Sequence, residues 1–107
     1  MNIIVLTGRL TRDPEVRYGK ETEVAHFTLA VDDFEKGEKT ADFFDCTCFG
    51  NPAKFADEYL KKGNLVSVTG RLKNNNYTDR DGNKRYSTQV ILSKIEFGES
   101  KNNRIDR

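Results

Sequence analysis

Tryptophan is absent from the 107 residues, and only two cysteines, two prolines, one methionine and one histidine occur. Each scarcity excludes something. Two thiols and one imidazole are too few for a structural zinc site. Cys46 and Cys48 have one residue between them. On one face of a strand such residues stand about 6.6 to 6.8 Å apart at Cα, the outer limit for a disulfide, so buried reduced thiols and a cytoplasmic location are expected. The longest uninterrupted apolar run, residues 3–6, is too short for a membrane span or a signal-peptide core, and no basic leader precedes it. No membrane partner is expected. The chain also lacks a phosphate-binding glycine loop, a nucleophile motif and any residue pattern that would make His26 catalytic. Neither an enzyme nor a cofactor or metal site is therefore expected. Asp32 with Asp33, and Asp79 with Asp81, read as solvated loop carboxylates. Asn76-Tyr77-Thr78 matches the N-glycosylation pattern, which carries no meaning without a secretory signal.

What is present fits one small domain. Hydrophobic residues make up 36% and charged residues 33%, which is polar for a globular protein and predicts a thin core. The formal net charge of +1 conceals a division along the chain. Residues 13–58 hold five Lys or Arg against twelve Asp or Glu, giving −7, whereas residues 59–95 hold eight against two, giving +6. A polyanion feels the local potential within about 10 Å, so a basic half can hold it while the acidic half faces elsewhere.

Alternation predicts a strand over residues 2–10, a short extended piece over 15–18 after Asp13-Pro14, and a strand over 23–31 with Ala25, Phe27, Leu29 and Val31 inward. His26 then points away from the core. Residues 32–42 read as an acidic loop holding one aromatic, Phe34. Residues 41–50 form the third long strand, with Phe43, Asp45, Thr47 and Phe49 on one face and Phe44, Cys46 and Cys48 on the other. Both faces carry rings, so one packs on the core and the other meets a partner. A helix follows, with Asn51 as N-cap, Pro52 in its first position, Lys61 and Lys62 in its last turn and Gly63 as its stop. Its stripe of Ala53, Phe55, Ala56, Tyr59 and Leu60 faces the core. Residues 65–73 give another strand, with Val66, Val68, Gly70 and Leu72 inward. A further strand runs through Val90, Ile91 and Leu92 to Phe97, and five long strands with one helix between the third and fourth describe an all-β OB-fold, a five-stranded Greek-key barrel. Gly8 and Gly70 suit the sharp bends of its closure.

Residues 70–90 predict a long two-stranded arm. Asp81-Gly82 suits a two-residue primed turn, which would set Tyr77 opposite Tyr86 and Asp79 opposite Lys84. Such a ribbon presents aromatic rings beside Lys73, Arg80, Lys84 and Arg85. Rings for bases and cations for phosphates are what single-stranded nucleic acid requires. A charged surface hairpin with one packed tyrosine is the alternative.

Taken together, residues 2–18 (Asn-Ile-Ile-Val-Leu-Thr-Gly-Arg-Leu-Thr-Arg-Asp-Pro-Glu-Val-Arg-Tyr), Phe49-Gly50, residues 58–63, Gly70-Arg-Leu and Tyr77-Thr-Asp resemble the bacterial single-stranded DNA-binding protein family, in the same order across residues 2–97. The resemblance implies an OB-fold over residues 1–97 that is assembled as a homotetramer and wraps single-stranded DNA without marked sequence preference. Residues 2–6 and the Phe44 face are its candidate subunit contacts. It places base stacking on Phe34, Phe43, Phe49 and Tyr77 and phosphate contacts on Lys62 and Lys73, with Arg9, Arg12 and Arg71 further candidates. Phe and Tyr stand where many members carry tryptophan, and Asn74-Asn75-Asn76 stands where they carry cations. Loss of two or three cations lowers the single-strand salt slope by roughly 1.4 to 2.1. The family's long acidic-tipped tail has no counterpart in the short polar tail at residues 98–107, so recruitment of partner proteins through one is not expected. The competing function is an OB-fold structural or protein-interaction module of a replication-accessory complex.

Overall fold

The computed structural model describes residues 1–98, so the tail expected over 98–107 lies outside the described residues except for Gly98. Strands β1 (Ile4–Leu10), β2 (Glu15–Tyr18), β3 (Glu23–Glu35) and β4 (Glu38–Phe49) precede helix α1 (Asn51–Tyr59). Then come β5 (Leu65–Asn74), the short β6 (Tyr77–Thr78) and β7 (Lys84–Arg85), and β8 (Thr88–Phe97). The main sheet runs β1-β5-β8-β4-β3-β2, and β1 also pairs with β3, so five strands close into a barrel with β2 outside the ring. This closed barrel with one helix is the arrangement of an OB-fold.

Closure depends on close backbone approaches. A Cβ on Gly8 would lie 2.3 Å from the Ala30 carbonyl oxygen, and one on Gly70 would lie 2.1 Å from that of Ile91. The β5–β8 register shifts between Thr69 and Gly70, so the bend falls where a side chain cannot fit. The barrel interior is apolar and modest in size. Leu10, Ala25, Phe27, Leu29, Val66, Val68, Val90 and Leu92 fill it with both cysteines, while Ala53, Ala56 and Leu60 plug it from the helix side. Cys46 and Cys48 are free buried thiols, each pushed up to about 12 by burial, with the charges of Cys48 and Asp45 adding to the effect at Cys46.

Three local expectations need correction. The segment 32–42 is not a loop. Strands β3 and β4 continue through it to a two-residue turn at Lys36-Gly37, where both residues have positive φ (51° and 82°). Glycine meets half of that demand, and the lysine takes the left-handed region that the pairing on both sides imposes.

The arm also turns differently. Among the described residues no non-glycine position apart from Lys36 has positive φ, so Asp81 cannot enter a type I′ turn. A three-residue connection instead spans Arg80-Asp81-Gly82, with Asp79 N–H donating to the Asn83 carbonyl at 2.9 Å and only Gly82 left-handed. Tyr77 therefore opposes Arg85, and Thr78 opposes Lys84. The Asp79 carboxylate causes this shift in pairing: its Oδ1 accepts from the Asp81 and Asn83 N–H groups at 3.0 and 2.9 Å.

Finally, α1 begins one residue earlier than expected and also ends early. Gly50, at φ 67°, is the N-cap, and no side chain caps the first turn. Leu60 is already extended (φ −94°, ψ 138°), so Lys61 and Lys62 lie beyond the helix. Burial pulls Leu60 inward. Gly63 N–H donates to the Leu10 carbonyl at 2.8 Å, and Asn64 Oδ1 accepts from Lys61 N–H at 2.7 Å, which fixes the exit. Phe55 packs against the core as expected, while Tyr59 is exposed beside it with ring centroids 5.2 Å apart.

Candidate nucleic-acid interface

Alternation along β4 and the register of its neighbours decide which side chains share the outer face. Ala30 opposes Phe43, Thr28 opposes Asp45, His26 opposes Thr47, and Val24 opposes Phe49. Further out, Phe34 opposes Lys39, and Asp32 opposes Ala41. Opposed residues face the same way, so Phe34, Phe43 and Phe49 lie on one face of the β3–β4 hairpin. These rings are 70%, 65% and 47% exposed. Large aromatic surface left in water on one sheet face is unusual in a monomeric protein and marks an interaction surface.

The cations join this face by the same logic. Thr47 pairs with Ile91 across the parallel β4–β8 step, and Ile91 opposes Arg71. One row thus crosses the barrel from His26 through Thr47 and Ile91 to Arg71. Lys73 opposes Gln89 in the next row. Arg9 opposes Ala30, which places it one strand from Phe43, and its Nη1 donates to the Gly63 carbonyl at 2.9 Å. Arg12 lies beyond β1 and makes an exposed ion pair with Glu15 at 3.7 Å. It borders the same surface by lining a pocket with Thr28, Asp45 and Asn75.

Tyr77 is exposed on the arm with Arg85 opposite it, while Lys84 stands opposite Thr78 and Arg80 lies in the connection between the two limbs. Arg85 is committed to Asp79 at 2.8 Å. Backbone donation from Asn83, followed by the Arg85 contact, holds the Asp79 carboxyl below its usual range. Tyr86 is exposed and does not oppose Tyr77, so it gives that ring no cross-strand support. Lys62 stands apart, in the turn between α1 and β5. Its N–H bonds Asp13 Oδ1 at 2.8 Å, and no strand register links it to the aromatic face.

Sequence reasoning passed over the polar residues between the rings. Thr47 faces outward yet is nearly buried, because Gln89 and His26 close over it. Its hydroxyl donates to Gln89 Oε1 at 3.0 Å and meets His26 Nδ1 at 2.9 Å. Alternation alone places His26, Thr28, Asp45 and Thr47 on this face, but only the register of β8 brings in Gln89. Among the described residues no cluster of His, Cys, Asp and Glu could hold a metal ion, and no helix is long and apolar enough to cross a membrane.

The model of the single-strand binding protein family matches residues 1–98. The chain belongs to the single-strand binding protein family. Curated relatives agree with that membership. Single-stranded DNA-binding protein 2 of Listeria monocytogenes is 42% identical over 110 residues, covering 99% of this chain and 69% of that protein. Single-stranded DNA-binding protein 3 of Clostridium acetobutylicum is 43% identical over 110 residues, covering 96% and 76%. The single-stranded DNA-binding protein of Bacillus cereus is 42% identical, covering 95% and 62%. In this member of the single-strand binding protein family the matched region takes in every residue of the aromatic face and the whole arm.

Proposed function

We propose that the protein binds and protects single-stranded DNA with little sequence preference, serving replication, recombination and repair in the cytoplasm. Bases stack on Phe34, Phe43, Phe49 and Tyr77, and phosphates meet Arg9, Arg12, Lys62, Arg71, Lys73, Arg80, Lys84 and Arg85. The observation that carries this reading is the register of β3, β4, β8 and β5, which gathers exposed rings and two cations without an ion-pair partner among the described residues, Arg71 and Lys73, onto one barrel face. Aromatic surface binds any base through its π-face, and cations track the backbone without reading it, so the chemistry favours single strands over a particular sequence. Family membership supports the same conclusion.

We propose further that the working form is a homotetramer. From Ile4 to Gly8 the β1 edge facing away from β5 pairs with no strand among the described residues, and Val5 and the preceding Ile3 are exposed. An unprotected edge with apolar side chains is a ready site for a second copy.

Oligo-dT titration followed by tyrosine fluorescence tests the binding reading, the absence of tryptophan leaving that signal clear. Saturable quenching and a steep loss of affinity with salt are expected. Absence of saturable binding at low salt overturns it.

A further inference from the structure

Along the outward face of β4, a carboxylate stands between the rings: Phe43, then Asp45, then Thr47 and Phe49. Asp45 is out of place on a surface meant for a polyanion. It repels phosphate, and among the described residues no cation pairs with it. Its partner is the Thr28 hydroxyl, donating to Oδ1 at 3.2 Å.

Asp45 forms part of a pocket of about 320 Å³ between the aromatic face and the base of the arm, lined also by Arg12, Thr47, Asn75, Ser87 and Gln89. The floor is preorganised. Thr47, 4% exposed, donates to Gln89 Oε1, so it accepts from His26 Nδ1–H. With its carbonyl oxygen so engaged, the Gln89 amide keeps its NH₂ group as a donor for whatever enters. The arm base is fixed by Ser87 Oγ donating to the Asn75 carbonyl at 2.9 Å and by Asn75 N–H donating to the Ser87 carbonyl at 2.9 Å. The pocket thus combines one charged acceptor, Asp45, with donors from Gln89 and Arg12.

Asp45 lies two residues from Phe43 on the same face, about 6.6 to 6.8 Å along the strand. That spacing puts its carboxylate near the edge of a base stacked on the Phe43 ring. We infer that this pocket receives the edge of one nucleobase bearing an exocyclic amino group, with Asp45 as the accepting group. The inference rests on the single-strand binding reading and adds to it a local base preference at one position of an otherwise sequence-tolerant path. Cytosine offers an amino donor at position 4, where uracil and thymine offer a carbonyl oxygen that a carboxylate repels.

Oligo-dC and oligo-dU of one length, which differ in that edge and not in a methyl group, provide the test. Each is titrated by tyrosine quenching into the wild-type protein, Asp45→Ala and the isosteric Asp45→Asn. The wild type should favour oligo-dC, and Asp45→Ala should lower the dC-to-dU affinity ratio by about five- to tenfold. Asp45→Asn, which retains a carbonyl acceptor, should lower it by less. A ratio unchanged in both variants overturns the inference, including the case in which both oligonucleotides bind more tightly because a negative charge has gone. Saturable binding of neither oligonucleotide by the wild type is a different result, and overturns the single-strand binding reading itself.

Discussion

Exposure separates side chains of the same type. Of the rings on β4, Phe44 packs on the core while Phe43 and Phe49 stand in water, so truncating the exposed pair removes the surface proposed for base stacking with little effect on the fold. Phe43→Ala or Tyr77→Ala should each weaken oligo-dT binding by about 1 to 3 kcal/mol while leaving the urea midpoint unchanged. Unchanged affinity in either variant would return that ring to a structural role. Gly70 behaves in the opposite way. The Ile91 carbonyl leaves no room for a Cβ, and the obstacle is backbone, which cannot rotate aside. Gly70→Ala should therefore destabilise by about 1 to 3 kcal/mol in urea unfolding. A cost near zero would mean that the barrel bends there without strain.

Much of this residue-level picture was legible in the chain. Strict alternation in β4 put Phe43 and Phe49 opposite the cysteines, and the structure places them so. Asp45 was legible as an outward residue but not as part of a pocket. Its partners come from β3, β8 and the arm base, and no local pattern reports pairing at such separations. The sequence placed Lys61 and Lys62 in the last helical turn, and burial of Leu60 ends the helix before them.

At the scale of elements, the arm shows how one side chain can override a turn signal. Asp81-Gly82 has the composition of a two-residue turn, yet Asp79 binds two backbone N–H groups and Arg85, and this lengthens the connection by one residue. The pH dependence follows from the carboxyl held below its usual range. Its contribution to arm order is fully present above the unfolded value of 3.8 and is lost as pH falls through the lower folded value. Amide exchange at Asp81 and Asn83 should accelerate, relative to the rest of the arm, on acidification below that point. Asp79→Ala should show this fast exchange at neutral pH. Equal protection in the variant and the wild type would remove Asp79 from its organising role. The β3–β4 hairpin teaches a related lesson: polar composition suggested a loop over residues 32–42, but continuous pairing with a solvated surface on both faces needs no apolar alternation.

For the whole molecule, five strands of the barrel and its single helix could be anticipated from periodicity, because each buries one face and solvates the other. Assembly could not, since a subunit contact looks in sequence like any exposed apolar residue. The free β1 edge with Ile3 and Val5 supports a tetramer, and light scattering at micromolar concentration should give four times the 12.2 kDa chain mass. A monomer mass would overturn that assembly.

The parallel step between β4 and β8 has a consequence in time. Cys46 and Val90 are neighbours in space and far apart along the chain, and β8 also completes the ladder of β5. A ribosome makes the chain from its N-terminus, so both β4 and β5 emerge before the strand that joins them. Their hydrogen-bonding edges wait, unpaired, until residues 88–97 arrive, and the exposed aromatic face is bounded by an open seam during that interval. Closure brings together strands separated in the chain by α1, β5 and the arm, which places the fold among slowly closing β topologies, not among fast local ones.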